Sequence, residues 1–206
     1  MPAAAYRFRE KILRVPNVPV SASSKTSALV VIDVQGAYAP GAPVEITDVT
    51  KHNEVIKGLV QKYRQVGGEV IWILHHELEE DPVSYNAKDA SGDFFDDLRP
   101  TEGEKVIIKH MPSSFHETDL QEYLESKGIK QIVLTGYMAQ VCVTSTTVYG
   151  FHLGFDVVIV RDAIGSHECL TPNGQRLVTA AALVEGAVNL LHDGFGTAIA
   201  AADVQA

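Results

Sequence analysis

Five short runs of the chain are almost unbroken in Val, Ile and Leu: residues 28–34 (ALVVIDV), 69–74 (EVIWIL), 105–109 (KVIIK), 131–136 (QIVLTG) and 156–161 (DVVIVR). A strand with one face in water alternates apolar and polar residues, whereas a strand covered on both faces reads as a continuous apolar run. Strands of the second kind belong to parallel sheets, whose crossovers carry helices over both faces. A weaker run at residues 197–201 suits a sixth strand at an edge. Helical patterns lie between the runs. Residues 52–66 place Val55, Ile56, Leu59, Val60 and Tyr63 at helical spacing and end at Gly67-Gly68, a stop signal. Thr118-Asp119-Leu120-Gln121 has the form of a capping box opening a helix that stops at Gly128. Residues 172–192 make a third, Ala-rich helical stretch. Strand, helix and strand in repetition predict an α/β fold, a three-layer doubly wound sandwich around a mostly parallel sheet of about six strands.

A chain of 206 residues with 46% hydrophobic content can bury one full core. No repeat, low-complexity tract or linker divides it. Residues 1–27 read as an N-terminal extension, with a short helix around residues 7–13 and a Ser-rich approach, and residues 28–206 as the domain. Acidic residues outnumber basic ones by 26 to 17, a net charge of −9. That charge keeps a protein soluble, and it repels phosphate backbones and anionic lipid, so neither nucleic acid nor a membrane is expected as a partner. Two cysteines, Cys142 and Cys169, make no disulfide framework. The N-terminal residues MPAAAYRFREKILRVPNVPV lack the apolar core of a secretory leader, and no apolar run approaches the roughly 18 residues of a membrane span. A cytoplasmic protein is expected, although export by a leaderless route would leave no mark.

In open α/β sheets, sites form at the C-terminal ends of the strands, near the point where strand order reverses. Asp33 ends the first run, His75 and His76 the second, and Lys109 the third. Cys142 follows the fourth across a short turn, at the start of a helical stretch. A thiol there feels the positive end of the helix dipole, which favours thiolate, as does a nearby ammonium. The same turn offers backbone N–H groups to an oxyanion. A free cysteine is also commonly a small core residue, which is how Cys169 is read. A carboxylate at the end of an apolar strand is costly without a partner. Lys109 is the natural partner for Asp33, which could take the thiol proton and return it to a leaving amine. Asp33 alone would equally suit a structural cap or loop.

Four segments carry a resemblance: LVVIDVQ with Tyr38 after it, IKHMPSSF with Thr118-Asp119-Leu120 after it, VLTGYMAQVCV, and DVVIVRDAIGSHE. In this order they resemble the isochorismatase-like cysteine hydrolases, which include nicotinamidases, N-carbamoylsarcosine amidases, and ureidoacrylate, biuret and maleamate amidohydrolases. The resemblance spans about residues 28–201. It implies Asp33 as general base and acid, Lys109 as its ionic partner, and Cys142 as a nucleophile forming a thioester. It further implies a cis peptide at Tyr137-Met138, with the Met138 and Cys142 amides as oxyanion hole. Tyr38 matches a position that places an aromatic ring against substrate. His75, His76, Ser113, Phe115 and Tyr137 are candidates for the pocket, and a dimer or tetramer is implied. The residues 178–188 offer a packing surface, either to a second copy or to the sheet.

The metal-binding nicotinamidases carry an Asp-x-His pair, where this chain reads ILHHELEEDP. His52, His75, His76 and Asp48 fit no standard ligand spacing, so no metal or other cofactor is expected. Isochorismatases that cleave a vinyl ether typically replace the cysteine with glycine. Retention of Cys142 points to a small amide, ureide or carbamoyl substrate, with isochorismate hydrolysis through Asp33 and Lys109 as the alternative. A redox-sensing module would need a resolving cysteine, and Cys169 lies too far along the chain for a C-x-x-C pair.

Overall fold

The computed structural model describes Phe8 and residues 22–205. Apart from Phe8, the helix expected around residues 7–13 falls outside the described residues. Strands β1 (Ser27–Ile32), β2 (Glu69–His75), β3 (Lys105–Lys109), β4 (Gln131–Gly136), β5 (Asp156–Ile164) and β8 (Thr197–Ile199) form one sheet. Its order is β3-β2-β1-β4-β5-β8, and every pairing is parallel. Helices α1 (Val49–Gln65), α2 (Leu120–Ser126), α3 (Thr144–His152) and α4 (Ala180–Gly194) are the crossovers. A separate antiparallel hairpin joins β6 (Cys169–Leu170) to β7 (Leu177–Val178).

Period-two alternation divides the buried strand residues between two cores. Leu29, Val31 and Trp72 pack with Ile56, Leu59 and Tyr63 of α1. Val30, Ile32 and Ile71 pack on the other face with Leu120 and Leu124 of α2 and Leu191 of α4. Both faces are dry, which is why β1, buried at all six positions, reads as a continuous apolar run.

Two helix boundaries depart from expectation. Helix α4 begins only at Ala180, where the Thr179 hydroxyl caps the Ala182 N–H. The preceding residues turn through Asn173-Gly174 into the hairpin, with Gly174 at φ +68° and its N–H on the Thr171 carbonyl. A left-handed glycine inside that stretch ends any helical continuation. The capping box at Thr118 does not form either. Asp119 makes no side-chain cap. The Thr118 hydroxyl accepts from the Leu120 N–H and donates to the Ser114 carbonyl, tying α2 to the loop before it.

Going outward from β1, the chain runs β2, β3 on one side and β4, β5, β8 on the other. The order therefore reverses between β1 and β4, and the crevice beyond their C-terminal ends is where such folds bind ligands.

Candidate active site

Asp33 follows β1 in the left-handed conformation, φ +53°, with its N–H on the Ile73 carbonyl. Asp and Asn are the non-glycine residues most tolerant of that region. Across the crevice, Gly136 ends β4 at φ +109°, and a Cβ there would lie 2.0 Å from the Ile32 carbonyl oxygen. Only glycine lets β1 and β4 approach this closely. The Tyr137-Met138 peptide that follows is cis. Residues Ala139–Val143 form one π-helical turn leading into α3, and this turn carries Cys142.

Lys109, at the end of β3, reaches inward between these segments. Its Nζ lies 2.8 Å from Asp33 Oδ2, 3.1 Å from His75 Nδ1 and 3.5 Å from Cys142 Sγ. An ammonium has three donors and no acceptor, and all three are used. Side chains of Lys109 and Asp33 are wholly buried. Besides this ion pair, Asp33 is within hydrogen-bonding reach of the Cys142 thiol, and neither carboxylate oxygen has a further partner among the described residues. The carboxylate therefore keeps free acceptor capacity facing the crevice.

The electrostatics correct one expectation. Burial pushes the Cys142 thiol up to about 12, and the Asp33 charge adds to this, while Lys109 pulls the other way. Burial and Asp33 together outweigh the pull of the ammonium, which favours the thiol over the thiolate. Burial also works against the Lys109 charge, but Asp33 and Cys142 together raise its pKa above that of an ordinary lysine. His75 is lowered, by burial first and by the Lys109 charge second, and its ring is neutral at pH 7.

The other expected site residues divide. Tyr38 is buried with its ring edge-on to Tyr137 at 5.4 Å and Tyr85 at 5.6 Å. Tyr137 donates its hydroxyl to Asn53 Oδ1 at 2.6 Å. The Met138 carbonyl accepts from Val141 and Val143, and its N–H has no partner among the described residues. His75 stands against Lys109, and His76 turns away, its Nε2 2.9 Å from the Gly92 carbonyl. The Ser113 hydroxyl accepts from the Phe115 N–H. Phe115 is buried, and its ring stacks on Phe155 and Tyr149.

Two residues escaped the sequence reading. Gln35 is buried, donating to the His75 and Ser91 carbonyls and accepting from the His75 N–H. It joins the ends of β1 and β2 to the loop at residues 90–92. Tyr85, at φ +57°, comes from the long loop between β2 and β3; its hydroxyl donates to Tyr38 and its ring meets His75 at 5.1 Å. A connection this long, with a single 3-10 turn at Ala90–Gly92 as its regular structure, is uncommon outside functional loops. A separate cavity of about 390 Å³, lined by Thr47, Asp48, His52, Arg161, Ser166 and Val184 among others, includes none of the Asp33, Lys109 and Cys142 set. No group of three or more His, Cys, Asp or Glu side chains among the described residues could hold a metal ion.

Comparison with known proteins finds the isochorismatase domain model matching residues 27–188. The secreted isochorismatase effector Isc1 of Verticillium dahliae is 39% identical, covering 94% of this chain and 96% of that protein. The maleamate amidohydrolase of Pseudomonas putida is 28% identical over 67% of this chain and 71% of its own. A ureidoacrylate amidohydrolase of Caulobacter vibrioides is 29% identical over 70% and 79%. Among solved structures, an isochorismatase from Pseudomonas putida superposes with a TM-score of 0.87 at 23% identity, covering 97% of this chain and 99% of that one. The match to a secreted relative along nearly the whole chain overturns the cytoplasmic expectation. A leader serves only one route of export, and a core of this size needs no disulfides, so neither feature places the chain in the cytoplasm. Among the described residues no helix is long and apolar enough to cross a membrane.

Proposed function

The chain belongs to the isochorismatase family and is a hydrolase, and we propose that it cleaves a C–N bond of a small amide, ureide or carbamoyl compound through Cys142. The observation that carries this reading is the Lys109 ammonium holding Asp33 at 2.8 Å and Cys142 at 3.5 Å in one buried cluster. Because the sulfur rests as a thiol, it needs a base at the moment of attack. Asp33, ion-paired and with unused acceptor capacity, takes the S–H proton as sulfur bonds to the substrate carbonyl carbon. The Met138 and Cys142 amides receive the developing oxyanion. The C–N bond then breaks as Asp33 passes that proton to the leaving nitrogen. Water enters, gives a proton to Asp33, and adds to the thioester; the acid departs and the proton returns to sulfur. Lys109 stays protonated throughout and compensates the charge moving between Asp33 and Cys142. Tyr38, Tyr85 and Tyr137 form an aromatic wall suited to a planar substrate. Similarity to two amidohydrolases agrees with this chemistry.

A second reading rests on one specific finding, the 39% identity to a secreted isochorismatase effector across nearly the whole chain. In it, Asp33 enters protonated and delivers its proton to the enolpyruvyl group of isochorismate, the water that adds returns a proton to Asp33, and pyruvate leaves, with Cys142 no more than a pocket residue. Wild type and Cys142→Ala, each assayed for ammonia from small amides and ureides and for pyruvate from isochorismate, separate the two. Ammonia release abolished by the substitution establishes the cysteine amidohydrolase. Pyruvate release that survives it establishes the vinyl-ether hydrolase.

A further inference from the structure

Lysine is a long, flexible side chain that must lose about 2 kcal/mol of rotamer entropy to be held in one geometry. Asp33 alone does not set its direction: an ammonium can swing about one ion-pair contact and still satisfy it. One further contact is needed to point the third N–H at sulfur. In this molecule it comes from His75, whose Nδ1 lies 3.1 Å from Lys109 Nζ. The other nitrogen, Nε2, lies 3.2 Å from Glu77 Oε1. An ammonium can only donate, so Nδ1 must be the unprotonated nitrogen, and the proton sits on Nε2 facing the Glu77 carboxylate. Backbone contacts hold the imidazole where it is needed: the His75 N–H and carbonyl are both engaged by the buried Gln35 carboxamide, and Tyr85 closes one side of the ring.

From this geometry we infer that His75 is a positioning residue, a neutral imidazole whose Nδ1 lone pair aims the Lys109 ammonium at Cys142 and whose tautomer is set by Glu77. The inference rests on the reading of Asp33, Lys109 and Cys142 as the reacting cluster. It assigns His75 no contact with substrate. The groups that face the ring are Lys109 from β3, Asp33 from β1, and Glu77 and Tyr85 from the following loop. Protonation would turn Nδ1 from acceptor to donor and set two cations against each other. Since burial and the Lys109 charge lower the folded imidazole from its free value, that loss sets in at a lower pH than protonation of a free imidazole.

The test compares wild type with His75→Asn, His75→Gln and His75→Leu. Asparagine carries an amide oxygen close to where Nδ1 sits. Glutamine carries it one bond farther out, and leucine has none. The first readout is the rate at which iodoacetamide alkylates Cys142 between pH 7 and 10, followed by mass spectrometry with Cys169 as the internal reference. We expect Asn to stay within about twofold of wild type, and Leu and Gln to slow Cys142 by about threefold or more, because an ammonium that drifts from sulfur stabilises less thiolate. If the leucine variant does not fold, the Asn–Gln contrast carries the same information. The second readout is the pH profile of kcat for ammonia release: the acidic limb of wild type should move to lower pH in His75→Asn, with KM unchanged. Equal Cys142 alkylation rates in all the proteins overturn the positioning role, whatever the substrate proves to be. An unchanged kcat and acidic limb in His75→Leu overturn it as well. Alkylation differences as expected, in a protein that releases no ammonia, would instead sink the amide reading and leave the positioning role standing.

Discussion

Replacing Lys109 with methionine isolates what the buried ion pair does for the fold. Both side chains are wholly buried and 2.8 Å apart. At an effective dielectric of about 20 the gross attraction is about 6 kcal/mol, and lost hydration of two ions offsets most of it. As a pair they therefore contribute little net stability. Removing the lysine alone is different, because Asp33 then keeps only the weak Cys142 thiol donor beside it and no cation to offset its charge. Stranding one buried charge costs about 3–5 kcal/mol, which in a chain of this size lowers Tm by about 6–20 °C. Binding a proton is the cheapest relief for the stranded carboxylate, so the loss should shrink between pH 7 and pH 5. Asparagine tolerates the left-handed backbone of residue 33, and the double substitution Asp33→Asn with Lys109→Met should recover at least half of the loss. Differential scanning calorimetry of the wild type, both single variants and the double variant completes the cycle. A single-variant cost below about 1 kcal/mol, or a double variant no more stable than Lys109→Met, would refute the reasoning.

Three further outcomes follow from the same geometry. Because burial and Asp33 hold the Cys142 thiol at about 12, its alkylation should keep rising with pH until alkaline unfolding; a plateau below pH 9 would show that Lys109 dominates instead. Gly136→Ala puts a methyl 2.0 Å from the Ile32 carbonyl oxygen at a backbone angle that alanine rarely adopts. It should cost more than about 4 kcal/mol or yield insoluble protein, and a melting temperature near wild type would contradict the close approach of β1 and β4. Thr146→Val keeps the shape of a buried side chain whose hydroxyl accepts from the Ser114 N–H and donates to its Oγ. About 1–3 kcal/mol should be lost, with faster amide hydrogen exchange around Ser114 as the specific sign.

Much of the site was legible because the parallel α/β architecture ties strand ends to function. Asp33, Lys109 and Cys142 could be picked out from three different segments because each follows a run of apolar residues. The helix at residues 172–192 was misjudged because Ala-rich periodicity outweighed a turn signal at Asn173-Gly174. The stacking of Phe115 on Phe155 was not legible, because an aromatic beside a candidate lysine looks the same in sequence whichever way its ring turns. Gln35 and Tyr85 were missed because each is placed by hydrogen bonds to partners 40 or more residues away, His75 for Gln35 and Tyr38 for Tyr85.

By itself, then, the sequence determined the layers, the parallel sheet and which strand ends bear reactive groups, since burial on both faces and periodicity are local properties written in residue type. Only the tertiary structure decided that burial and Asp33 raise the Cys142 thiol, that one donor of Lys109 reaches sulfur, and that His75 Nδ1 lies beside the lysine. Those outcomes depend on desolvation and on distances of about 3 Å between distant segments, where the balance of burial against charge shifts with each partner.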